Sequence, residues 1–333
     1  MKRKHFNFLL ALYAMFLLQA CNSDEPKAPQ DKLPNICFAK TGGLYINGVE
    51  GTVIDGVSWI YSLGVKDGQL YVYGVNSYGK YIIWHDGESQ VLDISSDLYV
   101  DAKSPYIDNG NAYFRAWSQS REYYSIMGFP NGKVFQLPKV VGAVPQCCVV
   151  HGDEYFACAN VAEPVHLNVQ NGAYVWVNGN VIRLSDNLSV NLWAINGLHG
   201  HYYVIGPYDI YFDEFGHQAW SHMGYWRDGQ RQELDKRDAI NARPYFIHMH
   251  GDTPIVYGFL LYDNYEHRAC VWVDGNYIDL SQGRYSDVKG VRTCGKDWYA
   301  FVYDADNKTF YVWRTGKLFD SYLISDIVDF TVY

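Results

Sequence analysis

The sequence holds no apolar run long enough to carry a helix across a bilayer, which takes about 20 residues. The longest run, residues 6–18, is short and is interrupted by Asn7. There is no basic stripe either, and a formal net charge of -9 argues against nucleic acid as a partner. Gly-x-Ser-x-Gly, His-Glu-x-x-His and a phosphate-cradling glycine loop are all missing, which removes the common nucleophile, zinc-protease and nucleotide signatures. His248-Met-His250 and His199-Gly-His201 each offer two imidazoles, but neither has a sequence neighbour to serve as the third ligand of a metal site. Asp304-Ala-Asp306-Asn307 lacks the glycine and distal glutamate of an EF-hand loop. No metal and no cofactor is expected.

What is present begins with an export signal. Lys2, Arg3 and Lys4 give a positive start, residues 6–18 a short apolar stretch, and Leu18-Gln19-Ala20-Cys21 a lipobox. These are the marks of a secretory signal, here with a cysteine that can carry lipid. The reading is a signal peptide at 1–20 and a diacylglycerol on the Cys21 thiol. Pro26, Pro29 and Pro34 punctuate a polar stretch, so residues 21–34 are expected to form a lipidated flexible linker. Asn22 in place of Asp after the cysteine is similar to lipoproteins released to the outer membrane. The acids that follow resemble the surface-export signal of Bacteroidota-type lipoproteins. Loss of the signal takes the formal charge from -9 to about -12, so membrane attachment is expected through the acyl chains alone.

Self-similarity then decides the fold. A motif of an aromatic, any residue, Asn or Asp, and Gly recurs at Tyr45, Trp84, Phe129, Trp176, Trp226, Trp272 and Trp313, with spacings of 39 to 50 residues. Asn-Gly and Asp-Gly supply the positive φ values that a tight hairpin requires. A second tip lies upstream of most copies, as at Asp67-Gly68, Asn109-Gly110, Gly152-Asp153 and Gly251-Asp252. Each unit therefore holds four strands, A to D, with tips at A–B and C–D, which is a propeller blade. The prediction is an all-β, seven-bladed β-propeller of four antiparallel strands per blade, occupying 35–333 as one domain. Three strands at the N-terminus and one at residues 326–333 would complete each other and close the ring, removing two sheet edges.

Tyr-x-x-Gly, then Trp-x-(Asn/Asp)-Gly, then Leu, resembles the repeat of a large class of exported Bacteroidota-type propeller lipoproteins. The resemblance covers nearly the whole mature chain and implies fold and location, with no catalytic residues. Tyr45, Phe129 and Thr315 depart from the pattern and leave register open at three tips.

Aromatics make up 17 % of the chain, with 30 Tyr and 10 Trp. Trp84, Trp176, Trp226, Trp272 and Trp313 occupy the repeat position and are read as packing between blades. The A–B and C–D tips are uniformly short, whereas the B–C and D–A connections on the opposite face vary, and variable loops on a rigid scaffold carry function. Segments 207–222 and 261–267 mix aromatics with acids, a pairing that suits sugars, whose C–H faces stack while their hydroxyls need acceptors. The candidate ligand-binding residues are Trp117, Tyr208, Tyr211, Trp220, Tyr262 and Tyr265. The competing reading of these segments is a longer, solvated B–C hairpin. Six cysteines follow Cys21; Cys147 would lie opposite Cys158 in a hairpin, either as a cross-strand bridge or as free thiols. The function expected is binding or scaffolding at the outer membrane, toward a glycan or a surface protein. The alternatives are a glycan-active hydrolase or lyase, and a structural subunit of a surface complex.

Overall fold

The computed structural model describes residues 33–333 apart from 41–42, 95–97, 102–104, 109, 119–122, 162–171, 186–189, 213–217, 264 and 325; the side chains of 52, 98, 209–212 and 218–221 are likewise left aside. The expected signal peptide, Cys21 and the expected linker up to residue 32 lie outside the described residues. The described residues form strands and turns with no helix, and therefore no helix long and apolar enough to cross a membrane. Residues from Asn35 to Tyr333 form one compact unit.

Seven separate antiparallel sheets follow one another along the chain. Blade 1 runs Trp59–Lys66, Gln69–Val75, Tyr81–His85 and Glu88–Val91 from inside to outside. Blades 3 to 6 repeat that order, starting on the inner strands Cys147–His151, Ala194–Leu198, Asn241–His250 and Ser286–Cys294. Blade 2 differs: its inner strand is broken into Leu98–Val100 and Tyr106–Asp108, both paired with Asn111–Ser118. Blade 7 closes the ring as the sequence predicts, with Asp329–Val332 inside Ile36–Lys40, Gly43–Ile46 and Val49–Val53. Phe38 pairs with Phe330 across that seam, and Asn35 and Tyr333 exchange backbone hydrogen bonds of 2.8 and 3.0 Å.

The core is divided among the gaps between blades. Ala194, Tyr203 and Tyr225 of blade 4 pack on Ile247, Val256 and Trp272 of blade 5, and each of the other six neighbouring pairs has a cluster of its own. Full burial of one such side chain is worth about 1.5–3 kcal/mol.

The repeat motif has a local cause. At Asn47-Gly48, Asp86-Gly87, Asn178-Gly179, Asp228-Gly229, Asp274-Gly275 and Thr315-Gly316 both residues have positive φ, as a type I′ turn demands. The motif's polar side chain also ties the C–D tip to the B strand. Asn47 Oδ1 accepts from Ile36 N at 2.8 Å, Asn178 Oδ1 from Tyr155 N at 2.8 Å and Asp228 Oδ1 from Tyr202 N at 2.9 Å. Of the three departures, Tyr45 and Thr315 leave this turn intact. The tip after Phe129 is different: Phe129-Pro130 is cis and only Gly132 has positive φ.

Candidate functional site

The two ends of the propeller differ in chemistry. Among the described residues, the large exposed aromatics are Trp59, Tyr78, Tyr99, Tyr123, Tyr245, Tyr265 and Tyr285. All belong to the half that carries the B–C and D–A connections, and none lies at the A–B or C–D tips. Two aromatic groups stand out on this face. In blade 2, Tyr99 stacks on Trp117 at 6.1 Å with planes 15° apart; the cross-strand register brings them together. Across blades 5 and 6, the His267 ring lies between Phe259 at 4.0 Å and Tyr285 at 5.1 Å, and Tyr245 leans on Phe259 at 5.4 Å. His267 Nδ1 meets Asp287 at 3.2 Å, and Lys289 Nζ reaches the same carboxylate at 3.3 Å. Tyr123, Tyr124 and Trp176 also line a cavity of about 300 Å³ between blades 2 and 3.

The inner strands enclose a channel with two cavities. One, of about 440 Å³, is lined toward the tip end by Ser62, Asp108, His151, His248, Arg292 and Thr293 among others. The second, of about 290 Å³, is the mouth on the aromatic face and includes Arg115, Gln146, Cys147, Cys148 and Trp193. Pro105, Tyr106 and Phe246 line both and form the waist. Pro105 and Tyr106 stand there because the inner strand of blade 2 is broken just before them.

Polar groups in the inner cavity are largely engaged with each other. Arg292 Nη2 donates to Asp329 Oδ1 at 2.7 Å, while Asp329 Oδ2 accepts from Ser62 Oγ at 2.8 Å and Leu63 N at 2.7 Å. His151 Nε2 lies 2.8 Å from Asn196 Oδ1 and 3.2 Å from the Tyr106 hydroxyl. Burial, then Arg292, His151 and His250, pull the His248 pKa down to about 3. Burial, reinforced by Asp108, pushes the Tyr106 hydroxyl well above the usual tyrosine range.

The residues singled out in the sequence fare differently. Trp117 is half-buried and stacked, as above, and Tyr265 is 81 % exposed on its B–C turn. Tyr262 is half-buried, with Arg268 over its ring at 4.4 Å and Asp238 near its hydroxyl at 3.5 Å. Tyr208 departs from the expectation. It is 1 % exposed, its hydroxyl donates to Glu233 at 2.6 Å, and its ring is covered by His222 and Arg231, so it has no free face for a ligand. That bond holds the Glu233 carboxyl below its ordinary range. Tyr211 and Trp220 lie on the paired strands His201–Phe212 and Gln218–Arg227, with side chains outside the described residues. The segment around them is thus an extension of the B–C hairpin, the competing reading of that stretch. Trp176, Trp226, Trp272 and Trp313 are buried, and Trp84 is half-buried between blades 7 and 1.

Among the described residues, no three His, Cys, Asp or Glu side chains are placed to hold a metal ion. His199 and His201 meet Asp252 and Asp228 at 2.9 and 2.8 Å, and His250 meets the Lys296 carbonyl at 3.1 Å. Asp304 is 1 % exposed and caps its own turn through Asp306 N and Asn307 N. Tyr99, Tyr245 and Tyr285, and the channel residues Asp108, Arg115, His151 and Arg292, escaped the sequence reading. Apart from Arg115, which stands on a B strand, their sequence mark is a position on or just before an A strand, which the repeat could have indicated.

No protein-family model matches the sequence, and neither does any curated protein. Solved structures do. The chain is similar to the tricorn protease at 10 % identity and a TM-score of 0.53, over 84 % of this chain and 32 % of that one. It is also similar to a Bacteroides fragilis protein assigned as a 6-phosphogluconolactonase, at 12 % identity and a TM-score of 0.50, over 92 % and 99 % of the two chains. The β-propeller domain of the Trilobed protease from Pyrococcus furiosus matches at 10 % identity and a TM-score of 0.46, over 78 % and 82 %. At these identities the likeness shows the fold alone.

Proposed function

We propose that this protein is a lipid-tethered outer-membrane binding protein that holds a glycan across its B–C/D–A face. One observation carries the reading: the exposed aromatic rings among the described residues gather on that face and are missing from the other. A ring face attracts the C–H side of a sugar, while Asp287, His267 and Lys289 beside the blade 5–6 ladder supply acceptors and donors for hydroxyls. The lipobox at Cys21 and the acidic body fit attachment through acyl chains, and a chain with no basic stripe fits a partner other than nucleic acid.

A hydrolytic alternative calls for two carboxyl groups flanking the scissile bond. Among the described residues lining the inner cavity Asp108 is the one carboxylate, and it accepts from Gly152 N at 3.2 Å, while Asp329 beside the cavity is engaged by Arg292, Ser62 and Leu63. Binding without cleavage is the better fit.

Glycan-array screening of the soluble 22–333 fragment tests the proposal. Binding is expected, and Trp117→Ala or Tyr285→Ala should weaken it about tenfold, equivalent to roughly 1.4 kcal/mol. An array without a hit, or hits indifferent to both substitutions, would overturn it.

A further inference from the structure

Blade 3 sets two thiols directly across from one another. Cys147 opens the inner strand, and its register partner on Glu154–Val161 is Cys158. Partner Cα atoms in an antiparallel ladder lie about 4.5–5.5 Å apart, inside the roughly 4.4–6.8 Å window for a disulfide. Register alone therefore places the pair within the span that a disulfide bridges. Cys148 pairs with Ala157 and points to the other face of the sheet.

Access divides the pair into two roles. Cys147 is half-buried and lines the mouth cavity, whereas Cys158 is fully buried behind it. Cys147 Sγ donates to the Ile195 carbonyl at 3.9 Å. The hydrogen bond from Cys158 holds the Cys147 thiol below its ordinary value, with the Arg115 guanidinium adding to the effect. The same contact, and then burial, push Cys158 up. Arg115 is fixed in place by Asp101 and by the carbonyls of Pro145 and Gln146. A partly exposed thiol whose ionisation is eased by its neighbours, with a second thiol directly opposite and behind it, is the arrangement of an attacking and a resolving cysteine.

We propose that Cys147 and Cys158 form a redox-active dithiol at the channel mouth, whose substrate is a low-molecular-weight disulfide. Cys147 as thiolate attacks one sulfur of R–S–S–R, forming a mixed disulfide and expelling R–S⁻, which takes up the proton that Cys147 released. Cys158 then loses its proton, and its sulfur attacks that of Cys147. The intramolecular disulfide forms and the second R–S⁻ leaves with the Cys158 proton. Two protein thiols are oxidised and one small disulfide is reduced to two thiols.

The test uses the whole protein, first reduced with a phosphine and then exposed to oxidised glutathione. Acid quenching, maleimide labelling and peptide mass mapping read the outcome. Loss of two thiols with a Cys147–Cys158 cross-linked peptide is expected, and Cys148→Ser should behave as the parent. Cys158→Ser should stop with glutathione on Cys147, and Cys147→Ser should leave Cys158 unmodified. In the native reduced parent, iodoacetamide should alkylate Cys147 ahead of Cys148 and Cys158 and block closure, a readout that needs no variant. Retention of both thiols in the folded parent, a stable glutathione adduct without closure, or equal closure in Cys147→Ser would overturn the proposal.

Discussion

His248 stays neutral at physiological pH because the channel wall shields it from water and sets Arg292 near it. Its folded pKa of about 3 lies below the ordinary 6.5. Between those values the unfolded chain takes a proton that the folded chain refuses, so the stability that neutral His248 contributes is complete above pH 6.5 and falls as pH drops toward 3. His248→Gln removes this titration, and its melting temperature should fall less than the parent's on going from about pH 7 to about pH 4. A second contrast concerns the repeat tryptophans. Trp176 Nε1 donates to Pro138 O and Trp272 Nε1 to Asp235 O, both at 2.8 Å, each reaching back to the segment after the preceding blade's outer strand. Trp313 Nε1 is buried without a partner among the described residues. A hydrogen bond of this kind contributes about 0.5–1.5 kcal/mol and an unmade buried one costs about 1–3. Urea unfolding should therefore show Trp272→Phe to be more costly than Trp313→Phe, by about 1 kcal/mol or more. Single side chains were also where the sequence was least legible. Tyr208 reads as a ligand platform beside its acidic neighbours, yet Glu233, His222 and Arg231 from two other strands enclose it, and only the pairing of those strands reveals that.

Blades are legible in the sequence because their turns are local. The Asn or Asp of a C–D tip needs only its own glycine and, at Asn47, Asn178 and Asp228, an N–H at the start of the B strand. Asn178→Ala gives up both the tolerance for positive φ and the bond to Tyr155 N, and a loss of about 1–2 kcal/mol in denaturant midpoint is expected. The glycine of the B strand has a different origin. A Cβ at Gly74, Gly206 or Gly258 would stand 2.2, 2.0 or 2.0 Å from a backbone carbonyl oxygen of Trp59, Asn191 or Arg243. In blades 1 and 5 the inner strand bulges opposite this glycine, at Ile60/Ser62 and Pro244/Phe246. Backbone cannot give way as a flexible side chain can, so Gly258→Ala should cost about 1–3 kcal/mol or more. The broken inner strand of blade 2 and its altered tip had no such local mark beyond Phe129 and Pro130. The waist of the channel, which depends on that break, stayed hidden for the same reason.

At the scale of the ring, closure was readable from two incomplete ends whose strand patterns complemented each other. Asp329 reinforces it by joining Arg292 of blade 6 to Ser62 and Leu63 of blade 1. Deleting residues 326–333 should sharply lower the melting temperature, because it uncovers Ile36–Lys40 and opens the two clusters flanking blade 7. Asp329→Ala should reproduce part of that loss, roughly 1.5–3 kcal/mol; a melt unchanged in both proteins would refute a structural role for the seam. The seam also has a mechanical meaning. The chain enters the ring at Asn35, and the strand that follows is flanked on one side by Asp329–Val332 and on the other by Gly43–Ile46. A pull arriving at Asn35 thus meets a strand braced by two ladders, and both must shear before blade 7 peels. The ring takes load through a strand held on both sides and not through an outermost strand, which is paired on one side only.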